Sequence, residues 1–520
     1  MPNAKIEIRW RIVVCCFVFV SLATFANGQQ YLSDFRIWTT AQGRSSDVRL
    51  RLIERTATLV KLQREDDSKI ATLAIKTLSK EDQAFLKSLS MADSVSSPKS
   101  TTPKSESMQS ASGLDSDSKL EEWPGWRGVA RDGMSLCTGL LKQWPDGGPK
   151  LLWTIQGLGE GYSSPSVVED QIFVLGTKGN QEVLFCLQRE DGEPLWQATM
   201  GQNSGGGGYP GPRSTPTIDE NLAYAIGSDG TLVCVDIKNG STRWRKNLHQ
   251  DFGGRCGHWS YAESPLVDAN RLIFTPGGNR STVAAVNKLN GNTLWIGSAA
   301  ELSNGDDSDN SYTTAAYSSP IVEEVDSVRQ SIHFLRGGLV AFSVEDGTPL
   351  WHYDAPANDT ANCPTPVFAD RSVFAASGYG TGGGKATVTR RGRVWNVEEQ
   401  FFVSRFTNHH GGFVLYNGFL YGANDSTLLC VDWDSGEIRW QHRCVGKGSV
   451  SLADGMLYVR SERGPIALVE ATPEAYRLLG QFDQPQRSDK QAWPHPVIAH
   501  GKLYLRDWDR MFCYDLKSDD

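Results

Sequence analysis

The chain has 520 residues, a formal net charge of −8, and 39% hydrophobic against 22% charged residues. That balance belongs to a globular protein of two or more domains, or one large repeat architecture with an appendage, and its acidic surplus excludes nucleic acid as a default partner, which needs a basic footprint. Fifty-two glycines and 16 tryptophans against 7 methionines point to β-structure with many tight turns.

Residues 1–28 have the makeup of an export signal. "MPNAKIEIRWR" is basic, "IVVCCFVFVSLATFA" is apolar, and "TFANGQQ" supplies the small residues at which a peptidase cuts. The apolar run is short for a membrane span. The mature chain is therefore expected without a transmembrane anchor, in the periplasm or associated with the cell envelope. Cys15 and Cys16 raise lipid attachment, but Val14 is not the small residue that such a site wants before its cysteine.

In residues 30–89, "VRLRLI" and "ATLVKLQ" alternate as half-buried strands. "TLSKEDQAFLKSL" places Ser79 as an N-cap with Asp82 three residues on, which predicts a short terminal helix. Together with "FRIWTTAQGR", these stretches resemble the Sla-one homology domain, a small SH3-like β-barrel. They depart from it at "REDDSKIATLAI", where a turn glycine is usual. The resemblance implies a module that binds a peptide or protein. Residues 90–120, rich in Ser, Thr, Lys and Pro, cannot bury enough apolar surface to offset the entropy of ordering, and are expected to be a tether.

From residue 121 to 520 the sequence repeats itself. "DGEPLW", "NGSTRW", "NGNTLW", "DGTPLW" and "SGEIRW" are one phrase, with "RGRVW" as a shortened copy. Their tryptophans, Trp196, Trp244, Trp295, Trp351, Trp440 and Trp395, recur at roughly forty to sixty residues, the period of propeller blades. A second phrase, such as "YSSPSVVEDQIFVLG", opens each of eight units as strand, turn, strand. The last unit ends at "MFCYDLKSDD" with no tryptophan strand, while "GPKLLWTIQG" carries Trp153 on a strand that no unit precedes. The expected fold is all-β, an eight-bladed β-propeller closed by that N-terminal strand, with a small SH3-like barrel ahead of it. Closure would hide free sheet edges.

Six positions before each unit's glycine the residues are Cys186, Cys234, Ala285, Ala341, Ala386 and Cys430, with Cys513 in the same register. Cysteine alternating with alanine marks a packed position that accepts only a small side chain, since a catalytic thiol would occur once. Two residues on stand the turn-formers Gln188, Asp236, Asn287, Ser343, Asp432 and Asp515. Outside this column, Cys137, Cys256, Cys363 and Cys444 leave both disulfides and free thiols open.

The phrase is similar to the small-x-Asp-x-x-x-Gly-x-x-x-Trp motif of the pyrroloquinoline quinone (PQQ) propeller superfamily, and "WPGWRGVARDGMS" (123–135) resembles the lead-in of its large exported families. That superfamily holds calcium- and PQQ-dependent dehydrogenases as well as non-enzymatic members such as the scaffold of the outer-membrane assembly machinery. An alcohol-oxidising member would bring adjacent cysteines, which here occur only as Cys15–Cys16 in the export segment, and a calcium-binding Asp, Glu and Asn set, which this chain does not supply in recognisable form. Neither "SGGGGYPGP" (204–212) nor "GYGTGGG" (378–384) sits in the strand–loop–helix setting of a phosphate cradle.

The resulting reading assigns no catalytic residue, no metal ligand and no cofactor. It is a scaffold or protein-binding propeller whose partner is a protein or peptide. PQQ with calcium at a divergent dehydrogenase site is one alternative; another is a carbohydrate- or small-molecule-binding propeller, which an aromatic platform near Trp259 or Trp493 would favour. Candidate binding residues at the channel mouth are Arg213, His258, Glu263, His409, His410 and His495. The paired histidines are expected to face opposite ways, as strand neighbours do.

Overall fold

The computed structural model describes residues 121–302 and 312–518 and, nearer the N-terminus, three strands with a few single positions as far as residue 86. The export segment 1–28 and the tether 90–120 lie outside the described residues. The chain divides into two units, residues 1–111 and 112–520. In the first, Leu50–Arg55, Leu59–Arg64 and Ile70–Ala74 pair as an antiparallel meander. Leu52 faces Leu62 across it, and both are buried along with Val60. One side of the meander is thus apolar, as the alternation dictates. Closure into a barrel lies outside the described residues.

In the second unit eight sheets of four antiparallel strands, one of them extended by a fifth, parallel strand (Met134–Ser135), follow one another as a propeller. Blade 1 runs from Ser166 to Gln202, blade 2 from Thr217 to Asn247, blade 3 from Leu266 to Gly297 and blade 4 from Ile321 to Tyr353. Blade 5 covers Val367 to Val403, blade 6 Phe413 to His442, and blade 7 Gly448 to Phe482. Blade 8 has three strands from the C-terminal end, Val497–Ala499, Lys502–Asp507 and Arg510–Asp515, and takes its fourth, Leu151–Gln156, from the other end of the ring. Cys513 faces Trp153 at that junction, so the ring closes where the unpaired tryptophan strand and the incomplete last unit required it. Among the described residues no helix is long and apolar enough to cross a membrane.

The core lies between blades rather than within them. Phe173, Leu184 and Cys186 of blade 1, for example, pack on Ala223, Val233 and Val235 of blade 2. The repeated phrase builds these seams. Cys186, Cys234, Ala285, Ala341, Cys430 and Cys513 each lie directly opposite a phrase tryptophan, with a register shift immediately after. In four seams the tryptophan N–H crosses to the next blade, whereas Trp351 Nε1 donates to Gln330 Oε1 of its own blade at 2.6 Å and Trp153 Nε1 has no hydrogen-bond partner. Trp196 Nε1 donates to Ile237 O at 2.8 Å, Trp244 to Lys288 O at 2.9 Å, Trp295 to Val344 O and Trp440 to Thr472 O at 2.8 Å. In the next blade's turn, Gly240 lies against Trp196 and Gly347 against Trp295, where a Cβ would come within 2.5 Å of the ring. Their φ values of 70° and 74° also favour glycine. Asp236 holds its own turn through Lys238 N at 2.9 Å. Cys234 and Asp236 are structural.

Blades 5 and 7 depart from the pattern. Trp395 is not a seam residue. The outer hairpin of blade 5 extends to ten-residue strands, Gly382–Arg391 and Val394–Val403, which places Trp395 near the tip, opposite Arg390 and 5.4 Å from its guanidinium. The register shift falls between Lys385 and Ala386, so Lys385 occupies the small-residue position in place of Ala386, and Phe401 replaces the tryptophan. Gly436 of blade 6 lies against Phe401. Phenylalanine has no N–H, and Lys385 Nζ supplies the missing donor to Trp433 O at 2.7 Å, the carbonyl one position past Asp432. In blade 7 the tryptophan position is Gly480, opposite Leu468, and Trp144 packs over it, fixed by Trp144 N donating to Leu479 O at 2.9 Å.

Lys385→Ala is expected to lower stability by about 1–3 kcal/mol, the cost of leaving a buried carbonyl without its donor, read as a lower urea midpoint. Adding Phe401→Trp restores an indole donor above a small residue. The double variant is expected to recover most of that loss, a coupling that independent sites would not show.

Candidate functional site

Eight blades surround a hub, and the lead-in "WPGWRGVARDGMS" fills it. Trp123 pairs with Val167 of blade 1, and Pro124 O accepts from Ile218 N of blade 2. Trp126 Nε1 donates to Thr365 Oγ1 at the start of blade 5 at 2.7 Å. Arg127 donates to the carbonyls of Phe413 and Val450 in blades 6 and 7 and meets His495 Nδ1 at 3.3 Å. Arg131 donates to Ser264 O before blade 3 at 2.6 Å. Met134–Ser135 ends the crossing as a short strand parallel to Leu452–Ala453 of blade 7. The segment is a plug.

Above the plug lies a cavity of about 180 Å³ with Trp126 in its lining. Its wall is assembled one residue per blade from a column in the opening phrases, three positions before the proline: Tyr162, Arg213, Ala262, Tyr317, Cys363 and Trp493 all line it. The residue just before the proline forms a belt beneath. Thr215 N donates to Ser264 Oγ at 2.8 Å, Ser264 N to Ser319 Oγ at 2.9 Å, and His495 N to Ser164 Oγ at 2.9 Å. The belt fixes the spacing of the blade entrances, and so of the wall.

Of the candidates from sequence, Arg213, His409 and His410 line this cavity. His258 is exposed, with its ring 5.2 Å from that of Trp259. Glu263 is buried away from it, accepting from Thr275 N at 3.0 Å, and burial pushes its carboxyl up to about 8 against the pull of Thr275 and Arg131. His495 is buried with its ring 4.6 Å from that of Trp126 and its Nε2 2.9 Å from His410 O. Both histidines of the pair line the cavity because they sit on a bend, not a strand. Trp126, Tyr162, Tyr209, Tyr317 and Tyr379 escaped the sequence reading; the column before the proline was the signal that would have found four of the wall's aromatic and cysteine residues at once.

The polar groups of the site are largely committed to one another. Lys447 Nζ donates to His409 Nδ1 at 2.9 Å, which leaves the proton on Nε2, facing Tyr379 Oη at 3.1 Å. Burial, then the charges nearby, push His409 down to about 3, so it is neutral at pH 7. His410 Nε2 lies 3.1 Å from Glu462, which also accepts from Trp493 Nε1 at 3.2 Å and has Lys447 at 3.7 Å. Burial opposes the charge of Glu462, but these donors and Lys447 outweigh it and bring the carboxyl down to about 2. The Cys363 thiol is pushed up to about 12 by burial, which keeps it protonated and a poor nucleophile. Arg213 donates to three backbone carbonyls, Trp259 O at 3.0 Å, Gly206 O at 3.1 Å and Tyr209 O at 2.7 Å.

Flat aromatic walls suit a planar ring. Calcium needs several oxygen ligands, and the residues lining the cavity include no carboxylate or carboxamide. Among the described residues no three His, Cys, Asp or Glu side chains gather as a metal site. A calcium-held quinone does not fit these residues. Cys137, Cys256, Cys363 and Cys444 are all free thiols.

Over residues 144–255 and 179–442 the sequence matches the family described as outer membrane protein assembly factor BamB. It is 24% identical over 136 residues to BamB of Kangiella koreensis (strain DSM 16069 / JCM 12317 / KCTC 12182 / SW-125), covering 26% of this chain and 31% of that protein. It is 24% identical over 182 residues to BamB of Yersinia pestis, covering 32% of this chain and 42% of that protein. The chain thus spans less than half the length of either relative. The crystal structure of quinohemoprotein alcohol dehydrogenase from Comamonas testosteroni superposes with a TM-score of 0.56 at 11% identity, over 78% of this chain and 82% of that one. At that identity the likeness shows the fold alone.

Replacing Glu462 with Gln is expected to destabilise the ring near neutral pH. A carboxyl held below its ordinary value of 4.5 stabilises the fold above that value and loses the contribution as pH falls through about 2. The gap in thermal midpoint between wild type and Glu462→Gln is therefore expected to be full above pH 5 and to narrow steadily in acid.

Proposed function

We propose a non-catalytic, partner-binding role at the cell envelope for this chain, which belongs to the family described as outer membrane protein assembly factor BamB. The observation that carries this reading is the plugged hub. Residues 123–135 fill the centre from blade to blade, and the ionisable side chains around the cavity above them are tied to one another or to backbone. A general base or a nucleophile needs a free lone pair within reach of substrate. Here Lys447 occupies the lone pair of His409, burial holds His410 below its ordinary value and so makes its open Nδ1 a weak base, and the one thiol in the wall is protonated. Such a ring offers rigid faces rather than a reaction centre.

The remaining parts are assigned in keeping with that role. Residues 1–28 direct export, residues 30–89 form an SH3-like module that engages a peptide, and residues 90–120 tether it to the propeller at 121–520. A tether of that kind lets both modules hold one assembly and raises the effective concentration of the second contact. The outer-membrane assembly factors matched in sequence support an envelope location and protein partners.

The experiment that tests this reading is a titration of PQQ, with and without calcium, into the purified chain, followed by an electron-accepting dye with a panel of alcohols and sugars. Unreduced dye throughout is the expected result. Saturable quinone binding with substrate-dependent dye reduction would overturn it in favour of a dehydrogenase.

A further inference from the structure

We propose that the cavity above Trp126 binds a single six-membered ring carrying a carboxylate. The inference goes beyond the scaffold reading and does not rest on it. Size, walls and charge each argue for this chemistry.

A volume of about 180 Å³ takes one ring with its substituents and leaves no room for an oligomer. The walls are aromatic and present mainly carbon. Trp493 has Tyr162 at 4.6 Å and Tyr209 at 5.0 Å between ring centroids, and Trp259 has Tyr317 at 5.6 Å. The indole N–H groups of Trp126 and Trp493 are already held by Thr365 and Glu462, so these rings offer their faces. Such faces pack well against the C–H or π face of another ring.

Arg213 is the one cationic side chain in the lining, and the lining holds no carboxylate. Three of its donors go to carbonyls, and a guanidinium has five. Two remain. Glu462, close behind the wall, is taken up by His410, Trp493 and Lys447, and Glu182, the carboxyl whose charge reaches Arg213, is pushed up to about 7 by burial and is held by Ser228. A sequestered cation without an opposite charge is costly, and a ligand carboxylate on the free N–H groups of Arg213 would remove that cost through charge-assisted bonds. His410 adds a second, independent demand. With Nε2 on Glu462, its Nδ1 is a buried acceptor without a hydrogen-bond partner, and a ring hydroxyl would satisfy it. A neutral ring leaves Arg213 uncompensated, and a carboxylate without a ring leaves the walls empty. Sugar acids and hydroxylated aromatic acids share the required chemistry.

Isothermal titration of the full chain with D-glucuronate, 4-hydroxybenzoate, D-glucose and acetate tests this. One ring acid is expected to saturate at one site per chain, at least tenfold tighter than glucose or acetate, and which acid does so identifies the source. Arg213→Gln is expected to weaken that binding by a similar factor. Because Arg213 also holds the loop at 206–209, Tyr209→Leu is the companion variant. It removes one wall, keeps the backbone carbonyls that Arg213 uses, and is expected to weaken the ring acid several-fold while leaving acetate unchanged. The proposal is overturned if neither ring acid saturates by about 10 mM, if glucose or acetate matches them, or if a folded Arg213→Gln chain binds as wild type does.

Discussion

The ring depends on a flat side chain laid under the turn of the next blade. Burying a tryptophan removes on the order of 150–250 Å² from water, several kcal/mol at about 25 cal/mol/Å², whereas its indole–carbonyl bond nets about 1 kcal/mol. Burial supplies the attraction, and the bond supplies direction. Trp196, Trp244 and Trp295 all make the same reach to the carbonyl one place past the turn-former, which sets three successive seams in the same way. Blade 5 separates the two contributions. Phe401 keeps the flat ring, Lys385 keeps the donor, and the seam survives with both residues changed.

Filling the hub follows from the same geometry. Eight blades leave an opening too wide for their own innermost side chains, and an open hub would leave the inner strands' carbonyls without protein donors. Arg127 and Arg131 meet that need with guanidinium donors aimed at Phe413, Val450 and Ser264. Gly133, at φ 83°, lets Arg127 fold back across the segment, since a Cβ there would fall 2.3 Å from the guanidinium. Trp126 borders the cavity above the plug and also the groove on its other side, where Val129 and Arg131 face Asp268 and Glu323. The ring is therefore a cup on each face and not a tube.

Much of this was legible in the sequence because it repeats. Trp153 on a strand without a unit, set beside a last unit without a tryptophan, foretold the closure at Cys513. The cysteine–alanine column foretold a crowded position, since only a small residue fits opposite a docked indole. Trp395 misled because "RGRVW" copies the phrase while the register shift lies at Lys385, and pairing is invisible until the strands meet. The cavity was half legible. Arg213, His409 and His410 stood out by residue type and Trp493 as part of an aromatic platform, but Tyr162 and Tyr317 resembled ordinary core aromatics, and only their common distance from the proline placed them on the wall with Trp493. Glu263 and His495 lie in the same phrases yet belong to the belt and packing below, because a shift of one or two positions turns a side chain from the cavity to the seam.

Closure by Leu151–Gln156 has a consequence for how the molecule comes into being. That strand is made before any blade, yet its partner Arg510–Asp515 follows every other blade strand, and Arg127 meets His495 across 368 positions of chain. Contacts so far apart in sequence form late and slowly. Until Arg510–Asp515 has been made, Leu151–Gln156 has no strand to pair with. The ring is finished only when those two segments meet, and until then the exposed edge is open to whatever other strand reaches it first.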